Sequence, residues 1–399
     1  MTKHDPVAAQ IMAAARKIAK TQVGWRRHLH QYPELSNREF KTTAWLKDQL
    51  TGMRLALLPL KMKTGVLAEL RGKKGGPVVA IRSDIDALPI VERSGVPYES
   101  KHPGCMHACG HDVHMATVLG AAAVLSELRD LLPGTVRFVF QPAEEMPPGG
   151  ARPMIAAGAL RGVSMIFGLH VDPHLSTGRI SLRDGATMAS VFDFDLIIRG
   201  RGGHAARPHA AVDAIVVAAE IVTSIQTIVS REIDPVEPIA VTFGEIGGGT
   251  ARNVIAEEVR LVGTARSLST TAFKRLPALI GRTAKGICQA RGATFELRPV
   301  AEYPVLSNHP RANRILARSF EGMFGKGKLE ETPRVLGGED FACYLEHVPG
   351  AMFRLGTMNK KIKADKPWHS PEFAVDEAAM PVGTAVLAAS ALDAIGGTR

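Results

Sequence analysis

The amino-acid sequence predicts a layered α/β protein interrupted by a smaller inserted unit of β-α-β-β-α-β, ferredoxin-like order. Three observations carry this reading. Helical periodicity alternates with short apolar runs through the first half of the chain. Near Val191 the pattern changes to six elements whose order closes a small sheet by itself. After residue 306 the earlier style returns. The division is therefore a discontinuous domain over 1–188 and 307–399 and an inserted domain over 189–306. A chain of 399 residues with 45% hydrophobic content can bury two cores.

In chain order, "MTKHDPVAAQIMAAARKIAK" has charge mixed through it and no apolar h-region, so it reads as an amphipathic helix and not a signal peptide. "NREFKTTAWLKDQL" is helical, "TGVLAEL" and "PVVAIRSDI" are strands, and "HMATVLGAAAVLSEL" is a long apolar helix. "TVRFVFQ" is a strand, "ARPMIAAGAL" a helix, and "SMIFGLH" a strand ending at His170. Strands followed by helices put functional residues at strand ends. Asp84, Asp86, Glu144, Glu145 and His170 all fall there. The inserted unit reads as strand "VFDFDLIIRG", helix "AVDAIVVAAEIVTSIQTIVS", strands "PIAVTFGEIGG" and "EVRLVGTARSL", helix "TAFKRLPALIGRTAKGICQA" and strand "ATFELRPVAEYPV". "HPRANRILARSFEGMF" and "EAAMPVGTAVLAASALDAI" complete the first domain as helices.

Composition removes several function classes. The net charge of +10 comes from scattered residues, with 49 Lys+Arg against 39 Asp+Glu. No basic arm occurs and aromatics are 5%, so a nucleic-acid partner is not expected. No stretch of about 18 apolar residues occurs, so no membrane span is expected. Four cysteines are too few for a disulfide scaffold in a chain of this length, and Cys288 and Cys343 read as buried thiols. A reducing, cytoplasmic location fits that usage.

"CMHACGHDVH" concentrates two cysteines and three histidines in residues 105–114. Cys109 and His111 precede the apolar helix, where a loop can turn both inward as thiolate and imidazole donors to a late divalent metal. No second pair at finger-like spacing exists, and Cys105 and Cys109 are too far apart for a Cys-x-x-Cys redox motif. In "QPAEE", Pro142 ends the strand, so Glu144 and Glu145 can share one site. One can hold metal while the other acts as general base. His170 and His369, the latter in "KPWHSPEF", add two imidazoles. Together Cys109, His111, Glu145, His170 and His369 supply donors for a two-metal site.

The ordered series "RSDIDALPI", "HACGHDVHMATVLGAA", "QPAEE", "GLH", "GRGGHAARPH", "GGGTARNVIAEEV", "GTAR", "GGEDF" and "WHSPEF" resembles the aminoacylase/carboxypeptidase-type metalloamidohydrolases across about residues 20–395. The subgroup it is similar to contains hippurate hydrolases, N-acyl-amino-acid amidohydrolases and indole-3-acetyl-amino-acid hydrolases.

That resemblance implies a metallopeptidase-like catalytic domain with a central mixed sheet flanked by helices, and an inserted lid and dimerisation domain. It implies two divalent metal ions per subunit (zinc, manganese, nickel or cobalt), with Cys109 bridging and His111, Glu145, His170 and His369 as the other ligands. Glu144 matches the catalytic base and Asp86 an orienting carboxylate behind the ligands. His204 matches a residue that polarises the substrate carbonyl across a dimer interface. Asn253 and Arg266 match binders of the substrate α-carboxylate, a task that suits the arginine fork. His102, His107 and His114 match no ligand position, and His114 reads as core. The implied activity is hydrolysis of N-acyl amino acids to a carboxylic acid and a free amino acid by a homodimer, with higher homo-oligomers also compatible. The competing readings are a carboxypeptidase or dipeptidase using the same centre, and a catalytically silent binding protein.

Overall fold

The computed structural model describes residues 6–73 and 75–397. The first five residues of the predicted N-terminal helix lie outside that range; the helix itself is Pro6–Gln31. The chain forms two compact units. One comprises Met1–Gly185, Ser307–Pro333 and Cys343–Arg399, and the other Ala186–Leu306 and Arg334–Ala342. The stretch Arg334–Ala342, which the sequence reading counts with the discontinuous domain, thus folds with the inserted segment.

The first unit is built on an eight-stranded mixed sheet. Four strands at its centre, Thr135–Gln141, Val78–Asp84, Val163–Ser176 and Gly350–Met358, run parallel to one another in that spatial order. Val66–Arg71 pairs antiparallel with Thr135–Gln141 towards one edge, and Ile180–Leu182 antiparallel with Gly350–Met358 towards the other. The central strands read as continuous apolar runs because both faces are covered, the usual condition of parallel strands. Val79, Ala80 and Ile81 are wholly buried, as are Val136, Phe138 and Phe140. Helices Pro6–Gln31, His111–Glu127, Pro310–Phe324 and Met380–Gly396 pack together in this unit and share its apolar core with the strands.

Three expectations need correction here. The strand that was to end at His170 continues to Ser176, so His170 sits within a paired strand opposite Arg354. The helix read from "ARPMIAAGAL" is only Ala151–Ala156, cut short as Gly158 takes a positive φ. A third concerns apolar length: Ala214–Glu232 and Glu377–Gly396 are each long and apolar enough to cross a membrane. Each tolerates a few charges within its helix, so a search for unbroken apolar runs passes over both. Most of the second is buried inside its unit, where it packs on His111–Glu127, and the first turns its apolar face to the core of the second unit.

The second unit carries a four-stranded antiparallel sheet in the order Ile239–Gly248, Glu258–Ser267, Ser190–Arg199, Thr294–Tyr303. Helices Ala214–Thr227 and Thr270–Arg291 complete its β-α-β-β-α-β order. Strand alternation makes its core: Phe192, Phe194, Leu196 and Ile198 face inward, against Ile221 and Ile225 of one helix and Leu276 and Ile280 of the other. Asp213 caps the first helix through the N–H groups of Ile215 and Val216, and Ser269 caps the second through that of Ala272.

Candidate metal centre and active site

The carboxyl ends of the central parallel strands gather the chemically loaded residues of the first unit, where an open α/β sheet leaves room for a site. Val78–Asp84 ends at Asp84 and leads into Asp86. Thr135–Gln141 ends just before Pro142, and Ala143 adopts a positive φ of 54°, which breaks the strand geometry before Glu144 and Glu145. Gly110, at φ 91°, separates Cys109 from the helix His111–Glu127. A Cβ at Gly110 would stand 2.5 Å from Cγ2 of Val171, so the two donors are connected through a position that only glycine fills without strain. Gly110→Ala is expected to lower stability by at least about 1–2 kcal/mol from the left-handed backbone alone. Chemical unfolding monitored by circular dichroism checks this, and an unchanged midpoint contradicts it.

Each histidine's free nitrogen follows from its other bond. His111 Nδ1 lies 2.8 Å from the carbonyl oxygen of Asp86, which can only accept, so Nδ1 carries a hydrogen and Nε2 is the nitrogen that offers a lone pair once the ring is neutral. Nε2 is buried without a hydrogen-bond partner and faces Glu145 Oε1 and Asp84 Oδ2, each at 3.7 Å, and Glu144 Oε2 at 4.0 Å. By the same logic His170 Nδ1 donates to the Val171 carbonyl at 2.8 Å and leaves Nε2 3.4 Å from Cys109 Sγ. Glu145 Oε1, also buried without a hydrogen-bond partner, lies 3.4 Å from His369 Nε2. His369 takes a positive φ of 62°, and its N–H is held by the Ala108 carbonyl at 2.9 Å.

Among the described residues, three of the groups that could hold a cation join the predicted ligands: Cys109 with His111 and His170, Cys109 with Glu145 and His369, and His111 with Glu144 and Glu145. Within each group the donor atoms lie within 4.8 Å of one another. The electrostatics agree with the donor chemistry. Burial disfavours charge on His111, yet the carboxylates of Asp84, Asp86 and Glu145 override it and raise its pKa to about 10. Burial, then Glu145, Glu144 and Asp84, push the Cys109 thiol well above its usual range. Burial, then Arg354 and His114, hold His170 well below the usual imidazole range. The thiol of Cys109, the imidazoles of His111, His170 and His369 and the carboxylates of Glu144 and Glu145 thus come together where the surplus of acidic groups favours a cation. Orphaned buried donors and this soft–borderline ligand set fit a late divalent metal.

Behind these donors lies a support shell. The Asp86 carboxylate accepts the Ser36 hydroxyl at 2.6 Å and the Glu145 N–H at 3.0 Å, and its other oxygen is 3.4 Å from His111 Nδ1. Asp84 receives Arg82 at 2.6 Å on one oxygen and His114 Nδ1 at 2.7 Å on the other. His114 Nε2 in turn accepts the Val171 N–H at 2.9 Å, so both its nitrogens are used. Trp368 donates its indole N–H to the Val171 carbonyl at 3.1 Å and sets its ring edge-on to His170. Sequence reasoning placed Asp84 at a strand end without assigning it a partner, and passed over Arg82. The signal was present: opposite charges two apart in an otherwise apolar strand share a face and pair there. His107 is buried with neither ring nitrogen hydrogen-bonded, and burial lowers its pKa to about 4. His102 donates to the Pro33 carbonyl.

The remaining sequence candidates lie in the second unit. His204 is exposed, paired in a short ladder with Val254, and its Nδ1 accepts the Ala206 N–H at 3.1 Å. The Asn253 carbonyl accepts the Ala205 N–H at 3.1 Å, so His204 and Asn253 are neighbours. Arg266 lies on the strand Glu258–Ser267, where Nε donates to Thr264 and Nη2 reaches Asp193 at 3.4 Å.

Comparison with known proteins follows the same lines. The model of peptidase family M20/M25/M40 matches residues 80–393. The chain is 45% identical over 298 residues to the N-acyl-L-amino acid amidohydrolase of Geobacillus stearothermophilus, covering 75% of this chain and 79% of that protein. It is 40% identical over 365 residues to an N-acetyl-L-cysteine deacetylase of Bacillus subtilis, covering 91% and 85%. A solved Bacillus subtilis structure, described as a dinuclear metal binding peptidase from the M20 family, matches with a TM-score of 0.82 and 36% identity over 96% of this chain and 99% of that one.

Proposed function

Since the chain belongs to peptidase family M20/M25/M40 and is a hydrolase of its amidohydrolase branch, we propose that it cleaves the amide bond of N-acyl amino acids to a carboxylic acid and a free amino acid. The observation that carries this reading is the face-to-face placement of two orphaned buried donors, His111 Nε2 and Glu145 Oε1, beside a second carboxylate, Glu144. A merely structural metal site has no use for that extra carboxylate, and the same argument disfavours a silent binding protein.

In this reading Cys109, His111, Glu145, His170 and His369 would hold two divalent ions, and zinc, manganese, nickel and cobalt all suit these donors. The metals would supply a water whose pKa falls towards about 7 and a Lewis acid for the amide carbonyl. Glu144 takes the proton of the attacking water and hands it to the leaving nitrogen. His204 donates to the carbonyl oxygen as negative charge grows there. Asp86 holds His111 and the Glu145 backbone in register. Arg266 and Asn253 grip the α-carboxylate, while Met146 and Trp368 bound the acyl group. The inserted ferredoxin-like unit acts as lid and dimerisation domain, the enzyme works in the cytoplasm, and His204 serves the neighbouring subunit.

Two experiments test the substrate side. Charge-assisted hydrogen bonds to the α-carboxylate contribute about 1.5–3 kcal/mol each. Converting a good N-acyl amino acid to its α-amide is therefore expected to lower kcat/KM by at least about tenfold. Equal rates on acid and amide contradict carboxylate recognition and favour a general amidase. For the dimer, mixing Glu144→Gln with His204→Ala protein under subunit exchange is expected to restore activity, because one mixed site has both residues intact. Heterodimers that form and stay inactive contradict an intersubunit His204.

A further inference from the structure

Glu39 has no exposed surface and stands at the N-cap of the helix Phe40–Gly52, yet its side chain makes no capping bond to that helix. Its Oε1 instead accepts two backbone N–H groups, those of Asn37 and Ala143, each at 2.9 Å. Ala143 is the residue of positive φ that breaks the strand before Glu144. Two residues on, the Glu145 N–H is held by Asp86, whose same carboxylate oxygen accepts the Ser36 hydroxyl. The segment from Ser36 to Glu39 therefore grips the Ala143–Glu145 turn from both sides of Glu144, directly through Glu39 and indirectly through Asp86.

A non-glycine residue in the left-handed region persists only where its surroundings hold it there. The bond from Ala143 to Glu39 is a holding contact at that residue, made by a buried side-chain oxygen that accepts two backbone N–H groups at once. Nothing in the catalytic reading requires a carboxylate at position 39. We infer that Glu39 is a positioning residue of the hydrolytic centre: by fixing the Ala143 backbone it aims Glu144 and Glu145 into the metal pocket. This rests on the metal-dependent reading above.

The test uses the full-length apoprotein titrated with cobalt(II), whose visible absorption reports ligand geometry, alongside steady-state hydrolysis of an N-acyl amino acid. Glu39→Asp keeps the charge but draws the acceptor back by a carbon–carbon bond, out of reach of Ala143. It is expected to alter the cobalt spectrum and lower kcat by about tenfold or more with KM within about twofold, the pattern of a lost transition-state alignment. Glu39→Gln keeps an oxygen that can accept the same N–H groups, and is expected to retain the spectrum and hold kcat within about threefold, about 0.65 kcal/mol. A Glu39→Asp protein with wild-type spectrum and kcat overturns the inference, and so does a Glu39→Gln protein that is the more damaged of the two, the order expected of a carboxylate needed for its charge. Wild-type protein that takes up no cobalt overturns the metal centre itself, which separates the failure of that reading from the failure of this one.

Discussion

Glu144→Gln is expected to lower kcat by about 10²–10⁴-fold, the usual contribution of a positioned general base. That range corresponds to about 2.7–5.5 kcal/mol in the barrier. The amide is isosteric with the carboxylate and can occupy the same half-buried place 4.0 Å from His111 Nε2, but it cannot take a proton. The loss should fall on kcat and leave KM nearly unchanged, because the group acts in the transition state and not in ground-state binding. Steady-state kinetics on one N-acyl amino acid, with metal content measured on the same preparation, provide the check. A variant that keeps its metal and turns over at the wild-type rate removes Glu144 from the mechanism.

Cys109→Ser is expected to act on metal affinity first. Residues that merely support a ligand cost about 10–100-fold in affinity when replaced, so loss of a donor shared by two of the candidate groups should cost at least the upper end of that range. The thiol is buried among carboxylates that resist its ionisation, so only a cation nearby makes the thiolate the stable form. Serine is harder and far less acidic, and binds late divalent metals poorly in the same geometry. Competition with a chromophoric chelator measures the change. Unaltered affinity in a folded Cys109→Ser protein excludes Cys109 as a ligand.

The elements that the sequence revealed are those governed by local period. Phe192, Phe194 and Leu196 alternate with Asp193 and Asp195 and so announce a one-sided strand. The parallel strand Val78–Asp84 and its helix partners are visible as apolar runs of the right length. The loaded residues stand out because polar groups at the ends of apolar strands are costly unless used. What the sequence hid depends on distant pairing. The continuation of Val163–Ser176 beyond His170 follows from its ladder with Gly350–Met358, far along the chain. The Asp84–His114–Val171 relay joins three segments, and its members look like ordinary strand and helix residues when read locally. Glu39 has no local signal that sets it apart in the sequence, and only the fold brings Ala143 to it. Trp368 is legible only in part: its bulk suits an acyl-group wall, while the bond from its indole N–H to the Val171 carbonyl beside His170 is visible only in the fold.

The central claim is that the centre formed by Cys109, His111, Glu145, His170 and His369 hydrolyses N-acyl amino acids only when it holds metal. The direct measurement strips the protein with a chelator, returns zinc, manganese, nickel or cobalt in steps, and follows bound metal per chain together with release of the free amino acid. The account predicts no hydrolysis by the stripped protein and activity that rises with bound metal until two ions are held per chain. Hydrolysis that survives complete removal of metal, or that bears no relation to its return, contradicts it.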